Sequence, residues 1–127
     1  MSELWAAVRA FALSLPGATE DFPWGEPVAK AGGKVFAFLG SGAGPGPRRL
    51  TVKLDESHGH ALATEGAGRT GYGLGDHGWV TVPFEADGVD LDLLRDWVEE
   101  SYRIVAPKRL VAELDARRSS RPGGRSR

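Results

Sequence analysis

One glycine-rich segment has the spacing of a phosphate-binding loop. Residues 66–71 match the G-x-G-x-x-G pattern that holds the pyrophosphate of a dinucleotide in some enzymes. That chemistry needs a strand before the glycines and a helix after them, because the N-terminus of the helix meets the phosphates. Here a helix-like stretch precedes the glycines and a loop follows them. We therefore expect no nucleotide cofactor at this segment.

Metal binding and acid–base catalysis have few candidate groups in this chain. There is no cysteine, which excludes disulfides, cysteine-ligated metals and a thiol nucleophile. His58 and His60 would share one face in a strand and could bind a metal there. The glycine between them and a predicted helix start favour solvent-facing imidazoles instead. No serine has the surroundings of a nucleophile elbow, so we expect no metal, no catalytic residue and no enzymatic activity.

Four aromatic side chains lie in or beside predicted loops, where a ring either closes the end of a sheet or lines a binding surface. They are Trp24, Tyr72, His77 and Trp79. Both interpretations are open from the sequence. Under the second, the four side chains form a concave site for a protein partner or a small anionic ligand, with Arg69 or Lys34 nearby to hold the anion.

Charge is unevenly distributed along the chain. The formal net charge is −1, from 16 basic and 17 acidic residues. Residues 116–127 contain five arginines and no acid, so the other 115 residues carry a net charge of −6. Bulk attraction therefore does not draw the folded part to nucleic acid or to an anionic membrane. No segment approaches the roughly 20 apolar residues of a membrane span, and we expect a cytoplasmic protein with no membrane partner.

A local group of basic residues is still a candidate surface for phosphates. Its members lie on predicted strands, connections, the last helix and the tail: Lys30, Lys34, Arg48, Arg49, Lys53, Arg69, Lys108, Arg109, Arg117 and Arg118. If the strand members share one face, they would contact phosphates weakly and without sequence preference. The alternative is that they protect strand edges and solubilise the sheet.

Helices and a run of strands are predicted to position these side chains. Apolar residues recur at helical spacing over residues 4–15 and 94–105, with Asp90 as the cap of the second helix. Four strands are predicted, at residues 27–31, 34–39, 50–54 and 79–84. Gly32-Gly33 suits a tight hairpin between the first two strands.

The remaining segments are assigned by composition. Loops are predicted at residues 18–27, 40–48 and 66–78, the last with a short strand near Tyr72, and a short helix is predicted within 55–65. Pro107 begins a final helix. Residues 1–115 are predicted to form one domain, and the Arg-rich residues 116–127 a disordered tail. Consecutive strands pair as hairpins, so the class is α+β with an antiparallel sheet.

The order of several short motifs resembles the MmcQ/YjbR-like family of small bacterial proteins. The matching residues are Leu15-Pro16-Gly17, Thr19, Phe22, Gly25, Lys30, Gly33-Lys34, Phe36-Ala37, Lys53, Asp76-His77, Trp79-Val80, Ser101-Tyr102 and Ala106-Pro107-Lys108-Arg109-Leu110. The resemblance covers roughly residues 3–116. It implies one domain with a frataxin-like, or secretion-chaperone-like, fold in which helices pack on one face of an antiparallel sheet.

The resemblance also implies a function. Proteins of this kind are commonly labelled DNA-binding, by analogy with a motif whose β-hairpin wings grip DNA, and the family supplies no catalytic residue. We therefore expect a non-enzymatic protein, a monomer or weak homodimer, that binds DNA weakly and in a salt-dependent way through its hairpins and basic tail. The alternative is a binding module for a protein or small anionic ligand that uses the loop aromatics.

Overall fold

Four helices and six strands make up the part of the chain that the structure describes. A computed structural model describes residues 3–23, 26–40, 49–64, 67–69, 78–84 and 89–119. The helices are α1 (Glu3–Ser14), α2 (His58–Leu62), α3 (Leu91–Val105) and α4 (Lys108–Ser119). The strands are β1 (Ala18–Asp21), β2 (Val28–Ala31), β3 (Lys34–Phe38), β4 (Arg49–Lys53), β5 (Gly68–Arg69) and β6 (Trp79–Pro83).

The strands form one antiparallel sheet in the order β1-β2-β3-β4-β6-β5. The predicted hairpin between β2 and β3 is confirmed, and both Gly32 and Gly33 adopt positive φ angles, at 61° and 84°. The cap of α3 is confirmed as well, because the Asp90 carboxylate accepts the backbone N–H of Leu93 at 2.9 Å. The helices α1 and α3 pack on one face of the sheet, which confirms the predicted α+β class.

A bulge in β3 decides which side chains face the helices. The register between β2 and β3 shifts between Ala29 and Lys30, so Phe36 is an extra residue on β3. Phe36 and Ala37 are consecutive, yet both side chains are fully buried. Strict alternation along a strand would have turned one of them to the opposite face.

The hydroxyl of Ser101, on α3, bridges the sheet at this bulge. It accepts the backbone N–H of Lys53 at 2.9 Å and donates to the carbonyl of Phe36 at 2.5 Å. Because Ala37 lies opposite Val52, the same register would otherwise pair Phe36 and Lys53 directly. Ser101 is fully buried, so its hydroxyl satisfies two backbone groups that water does not reach.

The next residue, Tyr102, joins α3 to the ends of two other helices. Its ring packs edge-on against Phe36, with 5.2 Å between the ring centroids. Its hydroxyl donates to the carbonyl of Pro16 at 2.7 Å, after the end of α1, and lies 3.3 Å from the carbonyl of Leu110 on α4. A Cβ on Gly17 would lie 2.7 Å from Leu110 Cδ1, so glycine at that position lets α4 approach the end of α1.

Ion pairs hold α4 antiparallel to α3. Arg103 donates to Glu99 at 2.9 Å and to Asp115 at 2.8 Å, and Arg118 donates to Glu99 at 2.7 Å. Arg117 donates to the carbonyl of Ser14, at the end of α1, at 3.2 Å. These contacts connect the last turn of α4 to the rest of the domain.

The predicted start of a disordered tail at residue 116 is therefore wrong by at least four residues. The helix continues to Ser119, so the predicted domain boundary after residue 115 would cut through α4. Composition suggested disorder, but Arg117 and Arg118 find partners on α1 and α3 that hold this turn in place. Residues 120–127 lie outside the described residues.

The predicted loop at residues 18–27 is also partly wrong, because residues 18–21 form the edge strand β1. The sequence Ala-Thr-Glu-Asp lacks an apolar strand pattern. The strand is stabilised instead by its pairing with β2 and by the Glu20 carboxylate, which accepts two hydrogen bonds from Arg9 of α1 at 2.5 and 2.6 Å. None of the helices within the described ranges is long and apolar enough to cross a membrane.

Replacing Ser101 with alanine removes both hydrogen bonds at the bulge. We expect the free energy of unfolding to fall by about 1–3 kcal/mol, because the N–H of Lys53 and the carbonyl of Phe36 lose their partner. Urea denaturation monitored by tryptophan fluorescence measures this loss. Ser119→Ala, at an exposed position on α4, is the matched control and should change stability by less than about 0.5 kcal/mol. Equal stability of S101A and the unsubstituted protein would contradict the bridging role.

Acid should weaken the contact between α3 and α4. Burial alone would raise the pKa of Glu99, but hydrogen bonds from Arg118 and Arg103 outweigh it and lower that pKa below its ordinary value of 4.5. A carboxyl whose pKa is lower in the folded state stabilises the fold above the unfolded pKa, and this contribution is lost as pH falls through the folded pKa. We expect Glu99→Gln to be less stable than the unsubstituted protein at neutral pH and to lose less stability below pH 4.5.

Thermal unfolding of the two proteins from about pH 7 to about pH 3 tests this expectation. Asp92→Asn is the control, since Asp92 is largely exposed and its nearest cation, Arg95, is 3.8 Å away. Parallel pH profiles for E99Q and the unsubstituted protein would show that Glu99 does not stabilise the fold through its charge.

Candidate nucleic-acid interface

The face of the sheet that points away from α1 and α3 carries basic and aromatic side chains. Directly opposed residues of antiparallel strands share a face, and consecutive residues alternate except at the bulge. We call this surface the outer face. Its described members on β1 to β4 and β6 are Thr19, Asp21, Val28, Lys30, Val35, Phe38, Arg49, Thr51, Lys53, Trp79, Thr81 and Pro83.

Three of the predicted phosphate-binding residues share the outer face. Lys30 lies on β2, and its ammonium group is 3.3 Å from the carboxylate of Asp21. Arg49 and Lys53 lie at the two ends of β4, and neither forms an ion pair with any residue in the described ranges. The hydroxyl of Thr51 lies on the same strand between these two cations.

Lys34 lies away from this group. It is opposite Ala31 in the register, on the helix side of the sheet, because the bulge at Phe36 shifts the alternation along β3. Its side chain lines a groove together with Lys108, at the start of α4. The condition that the strand cations share one face is therefore met by Lys30, Arg49 and Lys53 and is not met by Lys34.

The other predicted basic residues divide into three groups. Arg109 is exposed on α4, on neither the outer face nor the groove. Arg117 and Arg118 pair within the fold, as described above, so the prediction that they belong to a free tail is wrong. The backbone of Arg69 lies in β5 opposite Val80, and Arg48 lies outside the described residues.

Of the four aromatic residues, only Trp79 lies within the described residues. It begins β6, in agreement with the predicted strand at residues 79–84, and its side chain is 9% exposed. It packs edge-on against Phe38, with 5.5 Å between the ring centroids. The packing interpretation is therefore favoured for Trp79, and its role as a ligand-binding residue stays a prediction. Trp24, Tyr72 and His77 lie outside the described residues.

The two histidines considered as metal ligands lie on the helix α2. The ring of His60 packs edge-on against Trp97, with 5.5 Å between the centroids, and His58 Nε2 is buried without a hydrogen-bond partner among the described residues. Residues two apart in a helix point about 200° apart, so the two imidazoles do not share a face. No cluster of three His, Asp or Glu side chains able to hold a metal ion occurs within the described residues.

Acidic side chains collect on the helix side of the sheet. A cleft of about 520 Å³ lies between α3, α4 and the segment before α2, and we call it the acidic groove. Its lining residues are Asp55, Glu56, Asp96, Glu99, Glu100, Arg103, Ile104 and Arg118. Glu100 accepts the backbone N–H groups of Asp55 at 2.6 Å and of Ser57 at 3.1 Å. Burial opposes ionisation of Glu100, but these hydrogen bonds outweigh it and lower its pKa.

The net negative charge of the domain therefore conceals a separation of charge. The outer face has three cations and one carboxylate among its described members, whereas the acidic groove has five carboxylates and two guanidinium groups. A count of charged residues along the sequence does not show that cations and carboxylates lie on different sides of the sheet. The bulge that places Lys34 on the helix side was not predicted either, because the apolar run Val35–Phe38 does not indicate where an extra residue is inserted.

Comparison with known proteins places the chain in a family. A protein-family model described as YjbR matches residues 13–104, from the end of α1 almost to the end of α3, and this range includes the whole sheet. Searches of curated proteins and of solved structures found no match. The match covers well over half of the chain and confirms the resemblance seen in the motif order. The protein belongs to the YjbR family.

Proposed function

We propose that this protein binds nucleic acid weakly and without sequence preference through the outer face of its sheet. The observation that carries the proposal is that Lys30, Arg49 and Lys53 share this face, while the acidic groove lies on the helix side. A phosphate chain on the outer face would meet local positive charge although the domain as a whole is acidic.

The dimensions of the outer face suit a polyanion. Arg49 and Lys53 are four residues apart on one strand, which corresponds to about 13 Å. Lys30 lies two strands from β4 and level with Lys53, about 10 Å from Lys53 and about 16 Å from Arg49. Phosphates along one DNA strand are spaced about 3.4 Å apart in axial rise, so these three cations span roughly four phosphates. Between Arg49 and Lys53 lies the Thr51 hydroxyl, which is hydrogen-bonded to the Thr81 hydroxyl at 2.9 Å.

These contacts imply weak, general binding. Phosphate contacts fix a protein on nucleic acid but carry no sequence information. The outer face offers three cations, one of them already near Asp21, which limits the number of displaced counterions and hence the affinity. The proposal involves no catalytic residue. The alternative of a ligand site built from Trp24, Tyr72, His77 and Trp79 stays a prediction.

Removing two outer-face charges tests the proposal. We expect Arg49→Gln/Lys53→Gln to weaken binding of a fluorescein-labelled 20-nucleotide single strand and a matching duplex by about tenfold or more at low salt. The slope of log K against log salt should become shallower by about 1.4–1.8, because two phosphate contacts are lost. Fluorescence anisotropy across a salt series measures both quantities.

The matched control is Lys108→Gln/Arg109→Gln, which removes the same number of charges from α4. It should retain the salt slope of the unsubstituted protein and most of its affinity. Equal losses in the two double variants would show that net charge, not the outer face, governs binding. Absence of any binding by the unsubstituted protein at low salt would rule the proposal out.

The contribution of the C-terminal arginines is tested by truncation after Ser119. This cut removes Arg121, Arg125 and Arg127 and keeps α4 intact. We expect a salt slope shallower by up to about 2.1–2.7, for three lost phosphate contacts, and an unchanged melting temperature. Truncation after Asp115 also removes Arg117 and Arg118 and should lower the melting temperature. A truncation after Ser119 that binds as tightly as the full chain would exclude a role for the tail.

A further inference from the structure

The helix α4 has an outward face whose charge pattern is complementary to itself. Lys108, Ala112 and Asp115 follow one another at helical spacing, and all three are exposed. The opposite side of the helix is buried through Leu110 and Leu114. The exposed face thus has a cation at its start, a small residue at its middle and a carboxylate near its end.

A shallow apolar groove runs beside this face. The groove has a volume of about 570 Å³, and its lining includes Ile104, Val105, Pro107, Val111 and Ala112. Ile104 is 40% exposed and is one of only two large hydrophobic side chains exposed in the described ranges. We call this surface the α4 groove. Val105 and Val111 also pack against the core, whereas Ile104 is largely exposed in the groove.

One end of the α4 groove carries only cations, whereas the other end carries the carboxylate of Asp115 beside the guanidinium group of Arg103. Lys108 and Lys34 line one end. The turn of the β2–β3 hairpin sits against this end, because a Cβ on Gly32 would come within 2.4 Å of Pro107. Neither lysine forms an ion pair within the described residues. Asp115 lies at the other end, where its hydrogen bond from Arg103 holds it in place.

We propose that the α4 groove is the contact surface of a weak two-fold homodimer, in which α4 packs antiparallel to α4 of a second copy. Antiparallel packing about a centre between Val111 and Ala112 brings Lys108 opposite Asp115 of the partner subunit. The two-fold axis repeats the same pair at the other end, as an isologous interface requires. Parallel packing would oppose lysine to lysine, which is unfavourable.

Residue size supports this orientation. Ala112 lies at the middle of the face, where a small side chain allows two helices to approach closely. Ile104 and Val111 then supply apolar area beside the crossing point. Asp115 keeps its hydrogen bond from Arg103 while it meets the partner subunit's Lys108, so each end of the interface has three charged groups of alternating sign.

The size of the surface sets the strength of the dimer. A 12-residue helix is about 18 Å long and about 10 Å wide, so the contact buries well under the roughly 1,200 Å² of a stable interface. We therefore expect a transient dimer that forms at high protein concentration. Because α4 packs on α3 and α1, on the helix side of the sheet, the dimer contact does not involve the outer face. The dimer therefore does not depend on the proposed nucleic-acid binding.

A charge-exchange experiment on the full chain tests the dimer. Sedimentation velocity from about 10 µM to about 1 mM should show concentration-dependent association of the unsubstituted protein. Lys108→Asp and Asp115→Lys should each weaken association by about five- to thirtyfold, since each places like charges opposite one another at both ends. The double variant Lys108→Asp/Asp115→Lys should recover association to within about twofold, because it restores both pairs with reversed sign.

The controls separate this contact from effects on folding. Arg109→Asp changes an exposed cation on the same turn but outside the α4 groove, and it should not alter association. The double variant still lacks the Arg103–Asp115 ion pair, so its recovery cannot come from the fold of the subunit. A protein that stays monomeric at every concentration, or a double variant as weak as the single ones, overturns the proposal. An equal loss in R109D overturns it as well.

Discussion

The buried hydroxyl of Ser101 determines how the helices of this protein sit on its sheet. The bulge at Phe36 turns an additional aromatic side chain into the core, and it removes one direct backbone pair between β3 and β4. The hydroxyl occupies that position and bonds to both strands. Its neighbour Tyr102 then reaches the carbonyl of Pro16 and lies beside that of Leu110. Ser101 thus positions α3 at the bulge, and Tyr102 positions the end of α1 and the start of α4 against α3.

The same bulge organises the charged surfaces. The register of the tight hairpin places Lys30 and Lys34 on opposite faces, and the bulge decides which of the two lysines shares a face with Arg49 and Lys53. Lys30 joins Arg49 and Lys53 on the outer face, whereas Lys34 joins Lys108 at the α4 groove. The carboxylates of α3 line the acidic groove on the helix side of the sheet, away from the outer face. The domain is therefore acidic in total and basic on one face, as the proposed phosphate contacts require.

The arginines near the C-terminus show why composition is a poor guide to their role. A stretch rich in arginine, serine and glycine is typical of disorder. In this protein, Arg117 and Arg118 instead fasten the last turn of α4 to Ser14 and Glu99. Their charges are used within the fold, whereas Lys108, Ala112 and Asp115 lie together on another exposed face of α4.

The sequence by itself determined the elements that local chemistry specifies. Helical spacing, the Asp90 cap and Gly32-Gly33 predicted α1, α3 and the hairpin, because each signal lies within a few residues of the structure it forms. Motif order also indicated the family. Only the tertiary structure decided the strand β1, the bulge at Phe36 and the partition of the basic residues between two surfaces. Those features depend on partners such as Arg9 and Ser101, which meet them across the fold, and no local pattern encodes a contact between residues distant in sequence.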